Sequence, residues 1–118
     1  PKNVLLKKAS YQLTNIASFV HSLHTNNIDL MKSSLNDHLL QNQREFFFSY
    51  FKKIKSISYN MGSICCSISG SGPSIFSLVC DYKLAEKIKL QLDKEFVKMD
   101  IEFNSYLSTF GARGVRVI

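Results

Sequence analysis

The sequence predicts an α+β fold, with one antiparallel sheet of about four strands and helices packed on one face. Three observations carry that expectation. Residues 63 to 69 and 101 to 107 alternate at the two-residue period of half-buried strands. Four longer stretches repeat apolar residues at the three-and-four spacing of amphipathic helices. Between two short apolar segments lies a run of small residues, Ser69-Gly70-Ser71-Gly72-Pro73-Ser74, with the composition of a sharp turn joining two strands.

The first helix is expected over about Lys7 to His24, where Ala9, Leu13, Ile16, Ala17, Val20 and Leu23 form one apolar stripe. Thr25-Asn26-Asn27 ends it, and either asparagine suits the N-cap of a second helix with the stripe Leu30, Met31, Leu35 and Leu39. The short connection makes the two an antiparallel pair. A third helix is expected from about Asn42 to Asn60, where Phe47, Phe48, Tyr50, Phe51, Ile54 and Ile57 give an apolar face and Gly62 a stop.

The strand over 63 to 69 sets Ile64, Cys66 and Ile68 against Ser63, Cys65, Ser67 and Ser69. Residues 75 to 80 form its partner. Asp81 is placed to cap a fourth helix over about Leu84 to Lys98, with Leu84, Ile88, Leu92 and Phe96 inward. Ile101 to Leu107 is the third strand. After a turn over Thr109 to Gly114, Val115 to Ile118 closes the sheet.

Composition narrows the function classes. The chain has 118 residues, 45% hydrophobic and 20% charged, which suits one folded domain. Every apolar run is broken within a few residues, so no segment is long enough to cross a membrane. No signal peptide is visible, and a chain opening at Pro1 is expected to be a piece of a longer polypeptide. The net charge of +6 admits nucleic acid, a membrane surface or a phosphate-bearing ligand. The lysines are scattered, however. Their densest group, Lys52, Lys53 and Lys55, reads as a solvated helix face.

Cys65, Cys66 and Cys80 make neither a disulfide framework nor a metal spacing and fit a reducing cytoplasm. His21 and His24 lack a third ligand at a matching distance, and His38 stands alone, so no metal site is expected. Arg44 sits near a helix N-terminus, where a guanidinium is unfavourable unless an anion lies between them. By itself it reads as a surface arginine or as an anion ligand. Arg113 and Arg116 read as surface residues, although Arg113 lies in a glycine-flanked loop within reach of a ligand.

The glycine turn is the most informative segment. Glycine reaches positive φ without steric cost and admits close approach of a ligand, and successive amides in such a turn form an anion-binding concavity. An ordinary hairpin turn accounts for the composition equally well. The segment is neither a dinucleotide fingerprint nor a P-loop, since no third glycine and no Gly-Lys-Ser/Thr follow.

Residues 68 to 78, Ile-Ser-Gly-Ser-Gly-Pro-Ser-Ile-Phe-Ser-Leu, resemble the third conserved motif of the GHMP small-molecule kinases, in the wording of the members that act on homoserine. Asp37, Arg44, the helix ending at Met61-Gly62 and the closing Gly114 to Ile118 follow the family layout, so the resemblance covers nearly the whole chain. It implies a ferredoxin-like C-terminal, substrate-side domain over residues 1–118, belonging to a cytoplasmic enzyme that phosphorylates the L-homoserine hydroxyl with ATP and Mg2+ in threonine biosynthesis.

It further implies that Arg44 binds the substrate carboxylate and that Ser69, Gly70, Ser71, Gly72 and Pro73 line the cleft. No catalytic residue is expected in this domain. The nucleotide motif of the N-terminal ATP-binding domain is absent from the chain, so the isolated domain is expected to be inactive and to bind neither ATP nor metal tightly. No nucleic-acid or membrane partner is expected, and a homodimer is left open. The alternatives are another GHMP kinase, acting on mevalonate or a sugar, and a free-standing ferredoxin-like module that binds an amino acid or RNA. An RNA binder needs aromatics displayed on strands among basic residues. Phe76, Phe103 and Tyr106 lie on expected strands without such a setting.

Overall fold

The computed structural model describes residues 3–37, 39 and 49–109. Among them the order is helix α1 (Leu6–Thr25), helix α2 (Ile28–Ser34), helix α3 (Phe51–Asn60), strand β1 (Cys65–Ile68), strand β2 (Ile75–Leu78) and helix α4 (Tyr82–Lys98). This is an α+β arrangement. The expected start of the third helix, His38, Arg44, Arg113, Arg116 and the closing strand lie outside the described residues.

Local chemistry sets most of the boundaries. The Leu30 amide donates to Asn27 Oδ1 at 2.9 Å and the Leu84 amide to Asp81 Oδ1 at 2.7 Å, so both expected N-caps satisfy an otherwise orphaned donor. Helices α3 and α4 share one ending. After α3, Gly62 takes φ 102°, its amide donates to Tyr59 O, and the Ser63 amide reaches back to Ser58 O. After α4, Asp100 takes φ 54°, its amide donates to Val97 O, and the Ile101 amide donates to Phe96 O. Both are Schellman endings. At α1 it is Asn26, at φ 52°, that turns the chain.

The core lies between α3, α4 and the hairpin. Phe51, Ile54, Cys66 and Ile68 are buried together, with Tyr50, Ile75, Leu92, Phe96 and Met99 packed around them. Tyr50 meets Phe96 edge-on at 5.9 Å, and Phe103 stacks on Phe96 at 5.1 Å. These ring contacts add directional packing to the apolar burial that holds the three elements together.

Three expectations need correction. Strand β1 is not half-buried: Cys65 and Ser63, assigned to its outer side, are each 1% exposed, and the Cys65 thiol points at Leu35 O at 3.8 Å. The chain following α2 therefore covers a face that alternation alone leaves to solvent. Residues 101 to 106 keep the expected alternation, with 101, 103 and 105 partly buried and 102, 104 and 106 exposed, while Leu107, expected on the inner side, is exposed; the segment joins no ladder among the described residues. There the sheet has two strands, because burial period and hydrogen-bond pairing are separate properties. Finally, the apolar stripe of α1 faces outward, with Leu13, Ile16, Val20 and Leu23 all exposed.

Candidate functional site

The antiparallel hairpin pairs Cys65 with Leu78, Cys66 with Ser77, Ser67 with Phe76 and Ile68 with Ile75. The Ile64 amide donates to Leu78 O and the Ser69 amide to Ser74 O, each at 2.8 Å, which extends the pairing at both ends. Between Ser69 and Ser74 the chain reverses. The Gly72 amide closes a turn onto Ser69 O at 3.0 Å, Gly70 has φ 58°, Gly72 has φ 83°, and the Gly72–Pro73 peptide is cis. Positive φ is a region that residues with a Cβ enter only at a cost, so glycine at position 70 has a conformational reason.

The tip is open. Ser69, Gly70, Ser71, Pro73 and Ser74 are exposed, and a Cβ at Gly70 would meet no atom within 4 Å. Among the described residues the amides of Gly70 and Ser71 carry no protein hydrogen bond. The tip offers backbone donors and the hydroxyls of Ser69, Ser71 and Ser74. It holds no acid, base or nucleophile of perturbed pKa. What it can offer a ligand is hydrogen bonds.

Beneath the hairpin lies a hydroxyl cluster that the sequence reading missed. Ser58 Oγ donates to Ser63 Oγ at 2.9 Å and lies 2.6 Å from Ser77 Oγ, tying α3 to both arms of the hairpin. Its signal was present, since Ser58 continues the Phe51–Ile54 stripe as a polar residue on an apolar face. Burial pushes the neighbouring Cys66 thiol up to about 11, against a hydrogen bond with Ser58 that lowers it. Burial likewise raises Cys65 and Tyr59. These groups stay neutral near pH 7, as structural rather than reactive side chains do.

On the other edge of β2 runs a cleft of about 840 Å³, walled by β2, the inner side of α4 and residues 101–109. Of the expected site residues, Pro73 lines it and Ser69 to Gly72 stand at the exposed tip beyond it. Arg44 lies outside the described residues, so its distance from the turn is not among these observations. Among the described residues no group of three His, Cys, Asp or Glu side chains is placed to hold a metal, and no helix is long and apolar enough to cross a membrane.

The family model for the GHMP kinases C terminal matches residues 16–98. The homoserine kinase of Chlorobium phaeovibrioides is 29% identical over 120 residues, covering 100% of this chain and 38% of the relative. That of Buchnera aphidicola subsp. Schizaphis graminum is 30% identical over 117 residues, covering 99% and 36%. The crystal structure of homoserine kinase from Cytophaga hutchinsonii superposes with a TM-score of 0.86 at 35% identity, over 92% of this chain and 35% of that one. The chain thus spans little more than a third of the length of the curated relatives it matches. With the family model covering well over half of its residues, the chain belongs to the GHMP kinase C-terminal family.

Proposed function

We propose that residues 1–118 are the substrate-side domain of a homoserine kinase, which transfers the γ-phosphoryl group of ATP to the hydroxyl of L-homoserine. The observation that carries this reading is the open, donor-rich turn at Ser69–Pro73, set on a rigid hairpin in a chain whose relatives are homoserine kinases. In the reaction the substrate oxygen bonds to the γ-phosphorus as the bond to the β-bridging oxygen breaks. ADP leaves, and the hydroxyl proton passes to solvent or to a base on the other domain. Such transfer depends on positioning and on neutralising charge more than on covalent participation.

In this reading the amides of Gly70 and Ser71 help to position anionic or polar groups at the cleft mouth, and small side chains let them approach. Arg44 holds the homoserine carboxylate, for which a planar guanidinium offers two parallel donors. ATP and Mg2+ are held by the N-terminal part of the kinase, where Mg2+ neutralises phosphate charge. A sheet of about four strands belongs to the same reading. The enzyme is placed in the cytoplasm, in threonine biosynthesis.

Assays of the intact kinase and of the isolated chain test the proposal together. In the intact protein, Arg44→Ala is expected to raise KM for homoserine about tenfold or more while leaving KM for ATP unchanged, the loss of one charged hydrogen-bonding pair. The isolated 118 residues are expected to phosphorylate nothing. An Arg44→Ala kinase with unaltered KM for homoserine removes the assigned role, and ATP-dependent phosphorylation by the chain alone removes the division of labour.

A further inference from the structure

The turn at Ser69–Pro73 is a cantilever. Among the described residues its backbone bonds only within the hairpin, the Gly72 amide to Ser69 O and the Ser69 amide to Ser74 O. A Cβ at Gly70 would meet nothing within 4 Å. Where the tip stands is therefore decided at the root of the hairpin.

The root is held in two ways. Cys66 and Ile68 pack on Phe51 and Ile54 of α3, and apolar contact of this kind fixes how near two elements lie but only weakly their tilt, because it is non-directional. Hydrogen bonds are directional. Buried Ser22 and Ser34 spend theirs on carbonyls of their own helices, Phe19 O and Met31 O. Ser58 differs. Its hydroxyl leaves α3 to meet Ser63, just before β1, at 2.9 Å and Ser77, in β2, at 2.6 Å, while the Ser63 amide donates to Ser58 O at 3.1 Å. A serine hydroxyl has one proton. With that proton on Ser63, Ser58 accepts from Ser77, and the three hydroxyls form one relay that a deletion at Ser58 opens on both sides.

A rotation at the root is magnified at the tip. From Ser77 to the turn is about 15 Å at the rise of a strand, so a tilt of about 4° moves the Gly70 and Ser71 amides by about 1 Å. A displacement of that size is enough to slow a reaction on the order of a hundredfold.

We propose that the Ser77–Ser58–Ser63 relay is a positioning device for phosphoryl transfer, with Ser58 setting the angle of the glycine turn against α3. Ser58 and Ser63 are 0% and 1% exposed, out of reach of a ligand, and act through the turn. This inference rests on the kinase reading given above.

Kinetics of the full-length kinase measure it, at a temperature where melting curves show every variant folded. Ser58→Ala and Ser63→Ala are each expected to lower kcat about tenfold, with KM for homoserine and for ATP within about twofold of wild type, the pattern of a placement lost in the transition state. The double variant is expected to be no slower than Ser58→Ala, because one relay cannot be opened twice. Ser34→Ala removes a buried hydroxyl that joins no second element, and it is expected to keep the wild-type rate. A kcat for Ser58→Ala within about twofold of wild type overturns the inference, and so does a Ser34→Ala kinase slowed as much.

Crystal structures of the wild-type kinase and of Ser58→Ala give a reading independent of catalysis. With α3 superposed, the turn is expected to shift by about 1 Å, and a turn that stays within about 0.3 Å is equally fatal. Should Ser58→Ala not fold, Ser63→Ala carries both measurements. The two readings fail separately. A wild-type kinase that leaves homoserine unphosphorylated discards the kinase reading, while a displaced turn in the variant still assigns the turn's angle to the relay. Wild-type phosphorylation beside an unmoved turn discards the relay alone.

Discussion

The Lys53 ammonium lies 2.8 Å from Glu95 Oε2, joining α3 to α4 across the edge of the core. Lys98 reaches the other carboxylate oxygen at 2.7 Å from the next turn of α4. Glu95 itself is buried, so two cations and a side-chain amide from Gln91 satisfy a carboxylate that water barely reaches.

Those partners set an acid limit on the fold. Hydrogen bonds from Lys53 and then Lys98 lower the Glu95 carboxyl from 4.5 to about 2. A depressed folded-state value stabilises above the unfolded one, so the contribution is complete above about pH 4.5 and disappears as pH falls toward 2. Thermal melting of the wild type and of Glu95→Gln between pH 7 and pH 2.5 is expected to show a gap that is constant above pH 5 and narrows below 4.5. A gap independent of pH removes this role from the carboxylate.

The hydroxyl cluster predicts a cost out of proportion to the size of its side chains. Ser58→Ala leaves Ser63 and Ser77 without their shared partner in the interior. The loss is expected to be about 1–3 kcal/mol in urea titration, against less than about 0.5 kcal/mol for Ser33→Ala on the exposed side of α2. Equal losses at the two positions contradict the account.

At the hairpin tip, backbone conformation and side-chain space separate cleanly. Gly70→Ala meets no steric contact but must hold φ 58°, so it is expected to destabilise by about 1 kcal/mol. Gly70→Asn is expected to lose less, because asparagine tolerates the left-handed region. Denaturant midpoints that rank asparagine below alanine disprove the conformational explanation.

Much of the described fold was written locally. The caps at Asn27 and Asp81, the stop at Gly62, the Leu84–Phe96 stripe and the strand–turn–strand around Gly70 were all read from neighbours in the chain. The glycine-turn wording also carried the family. The roles given to Arg44 and to the turn came from that likeness and not from the residues alone, and Arg44 lies outside the described residues.

What the amino-acid order determined by itself was periodicity and punctuation, because a helix stripe, a cap and a positive-φ turn depend on residues a few positions apart. Only the tertiary structure decided which side each surface meets. Ser63 and Cys65 are polar or small on a face that alternation leaves outside, yet both are buried, Cys65 with its thiol at Leu35 O and Ser63 with its hydroxyl on Ser58. Leu13 and Val20 form a core-like stripe, yet they stand in solvent. Ile101 to Leu107 alternate like a strand without a ladder among the described residues. The physical reason is common to all three: burial and pairing belong to contacts between segments distant in sequence, and no local period records which segment arrives.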